Sequence, residues 1–529
     1  MGKILETKIR RWDGGMTNLR RGVSTAFARK LIGFDVLSDP TRMDPTPDMA
    51  NDLFTDLNPA TQQICKILPA NNAANDATVQ YGLGVVAGAP RIYIKNSPIT
   101  TWLELSATPA QGDGTRQENL FVEYQGRIYF AHNTGIQSYS ISANTYDTGM
   151  AGTLSVTLSQ SDIFQGLVHS KDDVLYIPYT TISSGVTSAF IASKNGSGAF
   201  NITALTLPKN VVPISICEYG NYLAIACRPK QVQSQKSVVY LWDRDSSLST
   251  LSEKIDFGLE RLEFIEELGG GIVGVSSYAN TSSEVITVKP KLIFRYYNGG
   301  LAEQFLELPI TSSIINNSSN LAWDNQKLNN RIFFTASVEL QGTRTDAIWA
   351  IAKKADGSLT VSIDRYLNNG TAITSCVPRG FYKFGDYFTA SYTDNGTYVT
   401  KTTINGAATY TASALFETVI MGESYLKFKL NSVGVMFEKL PADGQVVLKY
   451  RKDGDTSWTT IFTYTTDDAL FHEAVNIEST AANLPEFLEI EFQITSIGGA
   501  VITGFWAQAE EVPAGLVNRI LKVISGWIG

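Results

Sequence analysis

The chain has 529 residues, of which 43% are hydrophobic and 18% are charged, and its formal net charge is −8 at pH 7. A chain of this length exceeds the size of one hydrophobic core and is expected to form about two to four domains. The acidic balance excludes a protein whose whole surface binds nucleic acid. Abundant aromatic residues, glycine, serine, threonine and asparagine favour short strands joined by tight turns, and they give little support to long helices.

The first 58 residues show neither strand alternation nor a helical period, and several prolines interrupt them. Their stretch "RRWDGGMTNLRRG" (10–22) places arginines around a tryptophan and a Gly-Gly pair. We predict an extended N-terminal arm over 1–58, because a segment without its own core recovers its ordering cost only on a partner. Arginines can pair bidentately with carboxylates of another subunit. The candidate subunit-contact residues are Arg10, Arg11, Trp12, Gly14, Gly15, Arg20 and Arg21.

Between residues 59 and 411 one pattern recurs about every 45 residues: an apolar strand, a polar turn and a second apolar strand, with further strands behind. Examples are "VEYQGRIYFAH" (122–132), "ICEYGNYLAIAC" (216–227) and "YKFGDYFTASY" (382–392). Four short strands fit such a unit, which is typical of a propeller blade. We therefore predict an all-β protein whose central part is a β-propeller of about seven blades, with six or eight as alternatives.

The pattern of apolar and polar residues changes near residue 412. Apolar and polar residues alternate strictly over 447–451 and again over 488–493, and Asp443-Gly444 and Asp453-Gly454 are favourable hairpin turns. A period of two indicates sheets with one buried and one solvated face. Residues 412–512 are therefore predicted to form a β-sandwich or jelly roll.

The final segment, "PAGLVNRILKVISGWIG" (513–529), is the one stretch with a clear helical period. As an amphipathic helix it is too short to cross a bilayer and marginal alone, so its apolar face is expected to be docked. The dock can be the same chain, a neighbouring subunit or a membrane surface. The face proposed as a subunit contact consists of Leu516, Ile520, Ile524 and Trp527.

Catalytic signals are sparse in the sequence. No nucleophile elbow, P-loop, HExxH or Rossmann fingerprint occurs, and the four cysteines and three histidines lack metal-site spacing. The sequence therefore predicts a protein that is not an enzyme and has no cofactor or metal. Carboxylates in "WDRDSS" (242–247) and "YTDNGTY" (392–398) can bind calcium or act as a glycosidase pair, but ordinary surface turns explain them as well. We interpret the cysteines as buried thiols of a protein in a reducing compartment.

Two segments near the ends of the chain share residue patterns with a known family. The first contains "GGMTN" (14–18), "GFDV" (33–36) and "PTRMDP" (40–45), and the second contains "VVLKYRKDGDTSWTTI" (446–461) and "FLEIEFQITSIGGAVITGFW" (487–506). Both resemble tailed-bacteriophage virion proteins built on propellers, including the tail nozzles of short-tailed phages. The resemblance implies a structural protein of the virion tail that is made in the host bacterial cytoplasm. It also implies assembly with copies of itself and with other tail or neck proteins.

Three functions remain open at this point. The first is a structural virion protein that forms a ring or hub in the nozzle, tail tip or neck through its N-terminal arm and C-terminal helix. The second is a receptor- or carbohydrate-binding tail protein that uses propeller loops, with host-surface glycan as its ligand. The third is a propeller glycosidase that uses Asp243 or Asp245. No stable binding to nucleic acid or membrane is expected from any of them.

Overall fold

The computed structural model describes residues between 4 and 512 of the chain, with gaps. The chain divides into two units, one made of Met1–Asp48, Thr360–Arg365 and Gly406–Gly529 and the other of Met49–Leu359 and Tyr366–Asn405. Every regular element in the described ranges is a strand. None of the described residues forms a helix that is long and apolar enough to span a membrane. The described residues are 4–12, 14, 28–39, 41–47, 49–51, 63–69, 79–86, 89–96, 101–105, 120–132, 135–147, 163–183, 186–229, 236–247, 250–278, 290–310, 325–340, 343–354, 356–367, 376–384, 387–394, 397–403, 414–422, 425–465, 472–475 and 485–512.

The chain begins with short strands that belong to four different sheets. The strands β1 and β2 enter the sheets of the first unit, β3 and β4 pair only with each other, and β5 enters a sheet of the second unit. Their bounds are β1 (Ile4–Ile9), β2 (Ala28–Ile32), β3 (Phe34–Asp35), β4 (Asp44–Pro45) and β5 (Met49–Asn51).

The second unit is a β-propeller, which confirms the predicted fold class. Within the described residues it contains seven four-stranded antiparallel sheets, and the first six follow one another along the chain. These six blades consist of β6 (Gln63–Pro69), β7 (Gln80–Val86), β8 (Ala89–Lys95) and β9 (Leu103–Glu104); β10 (Phe121–Tyr124), β11 (Arg127–His132), β12 (Gly135–Ser140) and β13 (Thr145–Asp147); β14 (Leu167–His169), β15 (Val174–Ser183), β16 (Val186–Asn195) and β17 (Asn201–Thr206); β18 (Val211–Tyr219), β19 (Tyr222–Pro229), β20 (Val238–Trp242) and β21 (Glu253–Asp256); β22 (Arg261–Leu268), β23 (Gly271–Tyr278), β24 (Lys291–Tyr297) and β25 (Glu303–Pro309); and β26 (Asn325–Leu328), β27 (Arg331–Leu340), β28 (Thr343–Lys353) and β29 (Leu359–Tyr366).

The seventh blade closes the ring with a strand from the other end of the propeller sequence. Its sheet contains β30 (Cys376–Phe384), β31 (Tyr387–Asp394) and β32 (Thr397–Thr403), and its fourth strand is β5, with Ala50 opposite Thr402. Because β5 precedes the first blade in the chain, this pairing ties the first and last blades together. The recurrent sequence pattern could not reveal this closing strand of three residues.

The repeated hairpins of the sequence are the first two strands of successive blades. Their turns need backbone conformations with positive φ, which glycine and asparagine adopt most easily. In the second blade Gln125 and Gly126 have φ of 51° and 72°, and in the sixth Asn329 and Asn330 have φ of 50° and 58°. The short polar turns between apolar strands therefore mark the blades correctly.

Apolar side chains between neighbouring blades form the core of the propeller. One buried cluster, for example, contains Tyr176 and Ile191 of the third blade and Ile225 and Trp242 of the fourth. The rings of Tyr176 and Trp242 meet edge to face with centroids 5.7 Å apart. Each blade thus buries a face that it could not cover alone.

The first unit is a β-sandwich of two sheets. One sheet has the order β1-β41-β35-β38 with β39 beside β35, and the other has the order β2-β33-β40-β36-β37 with β34 beside β40. Phe492 and Phe505, one from each sheet, meet with ring centroids 5.2 Å apart. Its strands after the propeller are β33 (Ala414–Thr418), β34 (Met421–Gly422), β35 (Phe428–Phe437), β36 (Gln445–Lys452), β37 (Thr459–Tyr464), β38 (His472–Val475), β39 (Glu486–Phe487), β40 (Glu489–Ile497) and β41 (Ile502–Glu511).

The described part of the N-terminal segment is folded into this sandwich, so the prediction of an extended arm over 1–58 is wrong for it. The strand β1 pairs with β41 from Ile4 opposite Glu510 to Ile9 opposite Phe505, and β2 pairs with β33. Trp12 is only 1% exposed and meets Phe416 edge to face at 5.0 Å. The partners lie roughly four to five hundred residues away in the chain, and local sequence patterns cannot show such pairing.

The predicted subunit contacts have different outcomes. Trp12 and Gly14 are buried within the chain. This corrects their assignment to a subunit interface. Arg10 and Arg11 are exposed, and their contact with another subunit stays a prediction. The helix predicted over 513–529 lies outside the described residues, as do Gly15, Arg20, Arg21, Leu516, Ile520, Ile524 and Trp527.

Candidate functional site

The ends of the first strands of neighbouring blades meet at one end of the propeller. Glu218, near the end of β18, accepts hydrogen bonds of 2.5 Å and 2.6 Å from the backbone N–H and hydroxyl of Ser170 in the third blade. Near the end of β22, Glu266 and Glu267 contact Asn325 and Lys327 of β26. We call these four residues of the fifth and sixth blades the carboxylate cluster.

Glu266 is a half-buried carboxyl group held by two donors. The Asn325 side-chain amide donates to Oε2 at 3.0 Å, and the backbone N–H of Glu267 donates to Oε1 at 3.1 Å. Burial raises the pKa of Glu266 to about 7, although these hydrogen bonds and Lys327 act in the opposite direction. A carboxyl group with such a pKa holds its proton at neutral pH far more often than an ordinary glutamate.

Glu267 has a different environment, because its carboxylate pairs with the Lys327 ammonium group. The side chains of this pair are 22% and 38% exposed, so solvent reaches them. Asn325 and Lys327 are two positions apart on one strand, which separates their Cα atoms by about 7 Å along one face.

Three tyrosines lie at the ends of strands in the fourth and fifth blades: Tyr219 at the end of β18, and Tyr296 and Tyr297 at the end of β24. The rings of Tyr219 and Tyr297 meet at 6.1 Å, and the Tyr297 hydroxyl donates to Glu253 at 2.8 Å. Burial, together with Glu253, raises the pKa of Tyr297 to about 12. Tyr296 is half-buried, and the Lys353 ammonium lies 5.6 Å from its ring centroid. Flat apolar faces and hydrogen-bonding groups are thus present together.

The raised pKa of Glu266 predicts a pH-dependent stability. The folded protein binds this proton more tightly than the unfolded chain does, so the free energy of unfolding falls as pH rises from about 4.5 towards about 7. We expect Glu266→Gln to melt at the wild-type temperature near pH 4.5 and above it near pH 8. Thermal melts at both pH values check this. Glu303→Gln, an exposed glutamate of the same blade, should give no such difference, and an unchanged Glu266→Gln curve at both pH values would contradict the prediction.

The carboxylates of "WDRDSS" (242–247) accept hydrogen bonds from groups of their own loop. Asp245 accepts hydrogen bonds from the backbone N–H and hydroxyl of Ser247 at 2.8 Å and 2.6 Å, and Asp243 accepts one from the backbone N–H of Asp245 at 3.1 Å. The hydrogen bonds from Ser247 lower the pKa of Asp245, which is opposite to what a catalytic acid needs. The ordinary-turn interpretation therefore fits this loop. In the other stretch, Asn395 and Gly396 lie outside the described residues.

A second polar cluster joins the third and fourth blades. His169 is fully buried and lies 3.1 Å from the Asp172 carboxylate, which also pairs with the Arg244 guanidinium at 3.0 Å. The Tyr176 hydroxyl donates to Asp172 at 3.2 Å. Asp172 pairs with Arg244 of the fourth blade and bonds two groups of its own blade, so this cluster fastens the two blades together.

Metal-ligating and thiol groups add nothing to the site. Within the described ranges no three or more histidine, cysteine, aspartate or glutamate side chains are grouped so that they could hold a metal ion. Cys217 and Cys227 are buried free thiols, as the sequence predicts for them. Burial raises the pKa of both thiols, and for Cys217 the nearby carboxylates Glu266 and Glu267 act in the same direction.

The propeller blades and the carboxylate cluster define a class of protein, a β-propeller with a polar site at the ends of its inner strands. No family model and no curated protein sequence matches the chain. Among solved structures it is similar to a mutant Trypanosoma rangeli sialidase with trans-sialidase activity, with 9% identity over 88% of this chain and 95% of the other and a TM-score of 0.35. It is also similar to BamB from Moraxella catarrhalis (10% identity, 71% and 94% coverage, TM-score 0.34) and to the phage phi92 endosialidase (9% identity, 75% and 76% coverage, TM-score 0.35). At this identity the likeness concerns the fold alone.

The comparisons correct one prediction. The sequence, with its lack of catalytic motifs, predicts a protein that is not an enzyme, whereas the similar structures include a sialidase and several glycoside hydrolases. The prediction of a non-enzymatic protein is therefore wrong as an inference from missing motifs. Short motifs describe sites built from one loop, and a site assembled from different blades leaves no such trace.

The carboxylate cluster was missed at the sequence level although its residues were in view. Glu266 and Glu267 belong to "IEELGGGIVGVSSY" (265–278), a further instance of the recurrent blade pattern, which predicts a hairpin and no site. The available signal was a pair of adjacent glutamates at the end of an apolar strand. Their different environments come from Asn325 and Lys327, some sixty residues further along the chain.

Proposed function

We propose that the propeller binds a saccharide at the carboxylate cluster and hydrolyses its glycosidic bond. The observation that carries this proposal is the pair of neighbouring carboxyl groups in opposite environments. Glu266 is half-buried and bonded by neutral donors, whereas Glu267 is paired with the Lys327 ammonium. A carboxyl group that can hold a proton, beside a second carboxylate, is the requirement for combined acid and base catalysis of glycoside hydrolysis.

The chemistry follows from the two protonation states. Glu266 in its neutral form donates its proton to the oxygen of the leaving sugar as the glycosidic C–O bond breaks. A water molecule attacks the anomeric carbon from the other side and gives its proton to the Glu267 carboxylate. Because water attacks directly, without a covalent intermediate, inversion at the anomeric carbon is the expected outcome. Tyr219 and Tyr296 offer ring faces on which a pyranose can pack.

The biological setting that we propose is the tail of a tailed bacteriophage, in which copies of the chain form a ring or hub in the nozzle, tail tip or neck. The resemblance of the segments 14–45 and 446–506 to phage virion proteins supports this setting. Contacts between copies are proposed for Arg10, Arg11 and the segment 513–529, since Trp12 and Gly14 are used internally. An image of the phage particle with this subunit located outside the tail would contradict it.

A direct assay tests the proposed activity. The purified full chain is incubated with a panel of bacterial capsular and lipopolysaccharide glycans, and new reducing ends are measured. We expect release from at least one glycan, with the inverted anomer as the first product in a proton NMR time course. Binding to a glycan without new reducing ends would leave a saccharide-binding tail protein and contradict hydrolysis. Neither binding nor release across the panel would contradict both.

A further inference from the structure

A tryptophan lies on the outward face of one sheet of the sandwich. Along β41, Phe505 and Ala507 are buried and point inward, so the alternation of the strand turns Trp506 and Gln508 outward. Trp506 is half-buried, and it stands opposite Lys8 of β1 and Gly434 of β35. The three positions form one cross-strand row on the outer face.

Gly434 lets the indole ring lie across the sheet. A Cβ atom at this position would meet three ring atoms of Trp506 at 2.2 Å, 2.2 Å and 2.8 Å, so any other residue would displace the ring. The next residue in the row, beyond Gly434, is Ala474 on β38, which is also small. A ring above a glycine stabilises a sheet from one side. Part of the Trp506 surface is exposed to solvent.

The surroundings of this ring carry paired charges of both signs. Lys8 forms an exposed ion pair with Glu6 at 2.5 Å, and Glu6 stands opposite Gln508. In the following row Lys429 stands opposite Glu510. Among these described side chains around Trp506, two lysines are balanced by two glutamates, and all four can exchange hydrogen bonds.

We propose that Trp506 and its polar neighbours Glu6, Lys8 and Gln508 form a binding platform for an uncharged saccharide. The C–H groups of a pyranose ring pack on the flat indole, and the sugar hydroxyls exchange hydrogen bonds with the amide, ammonium and carboxylate groups around it. The balanced charge favours a neutral ligand over an acidic polysaccharide or a charged protein surface. This platform does not depend on the carboxylate cluster, and its role is to hold a glycan rather than to cleave it.

The experiment measures binding of the full chain to maltohexaose, cellohexaose and chitohexaose, with polysialic acid as the acidic comparison. We expect at least one neutral hexasaccharide to bind, and Trp506→Leu to weaken that binding at least about tenfold. Trp506→Phe keeps a smaller ring over Gly434 and should weaken binding less, which separates loss of the platform from loss of the fold. Equal melting temperatures of the variants provide the fold check.

The matched control is Trp458→Leu. Trp458 is also half-buried in the sandwich, with the Arg451 guanidinium 4.5 Å from its ring centroid, and it lies outside the cross-strand row of Lys8, Trp506 and Gly434. Its replacement should leave saccharide affinity unchanged. The proposal is overturned if none of the neutral hexasaccharides binds, if polysialic acid binds more tightly, or if Trp506→Leu binds like the wild type. Binding of the hexasaccharides is measured separately from release of reducing ends, so failure of the hydrolytic proposal would not be mistaken for failure of the platform.

Discussion

Glu266→Gln is expected to lower the turnover number for glycan hydrolysis by about two to four orders of magnitude. The amide has nearly the shape of the carboxyl group but carries no proton that it can give to the leaving oxygen. Saccharide affinity should change little, because the group that is lost acts mainly in the transition state. Initial rates of reducing-end release over a range of glycan concentrations separate the two effects.

Glu303→Gln is the matched control for this prediction. Glu303 lies on the outermost strand of the same blade, is exposed, and stands outside the carboxylate cluster, so its removal should leave the rate unchanged. The wild-type rate should also fall as pH rises above about 7, where Glu266 loses its proton. A Glu266→Gln variant with wild-type turnover, or an alkaline limb that persists in this variant, would refute the assignment of Glu266 as the acid.

Trp12→Ala is expected to reduce the free energy of unfolding of the sandwich by about 3–5 kcal/mol. The indole is 1% exposed, and its edge-to-face contact with Phe416 connects the N-terminal segment to β33. Removal leaves a large cavity that the surrounding strands cannot fill. Urea unfolding followed by near-ultraviolet circular dichroism measures the change.

Arg10→Ala provides the comparison, because Arg10 lies in the same segment and is exposed. A surface change of this kind should stay within about 0.5 kcal/mol of the wild type. The two variants also separate the two roles of the segment. If Trp12 served to bind another subunit, Trp12→Ala would weaken assembly and leave the stability of the single chain unchanged, which is the result that would contradict the burial of Trp12.

The carboxylate cluster illustrates how little of a propeller site is local. The glutamates are visible at the end of an apolar strand, yet nothing within a few residues of them distinguishes Glu266 from Glu267. The distinction arises when β26 of the next blade brings an amide to one and an ammonium to the other. Conversely, Asp243 and Asp245 look like a catalytic pair in the sequence, but the loop uses both for its own turn.

The sequence by itself determined the all-β class, the blade-sized repeat and the sandwich texture after residue 412, because the period of two and the turn residues act within a few positions of the chain. Only the tertiary structure decided that β5 closes the seventh blade and that β1, β2 and Trp12 complete the sandwich. These contacts join segments that lie hundreds of residues apart. The free energy of these contacts depends on backbone pairing and buried area that exist only after the chain has folded. A local sequence pattern therefore cannot predict them.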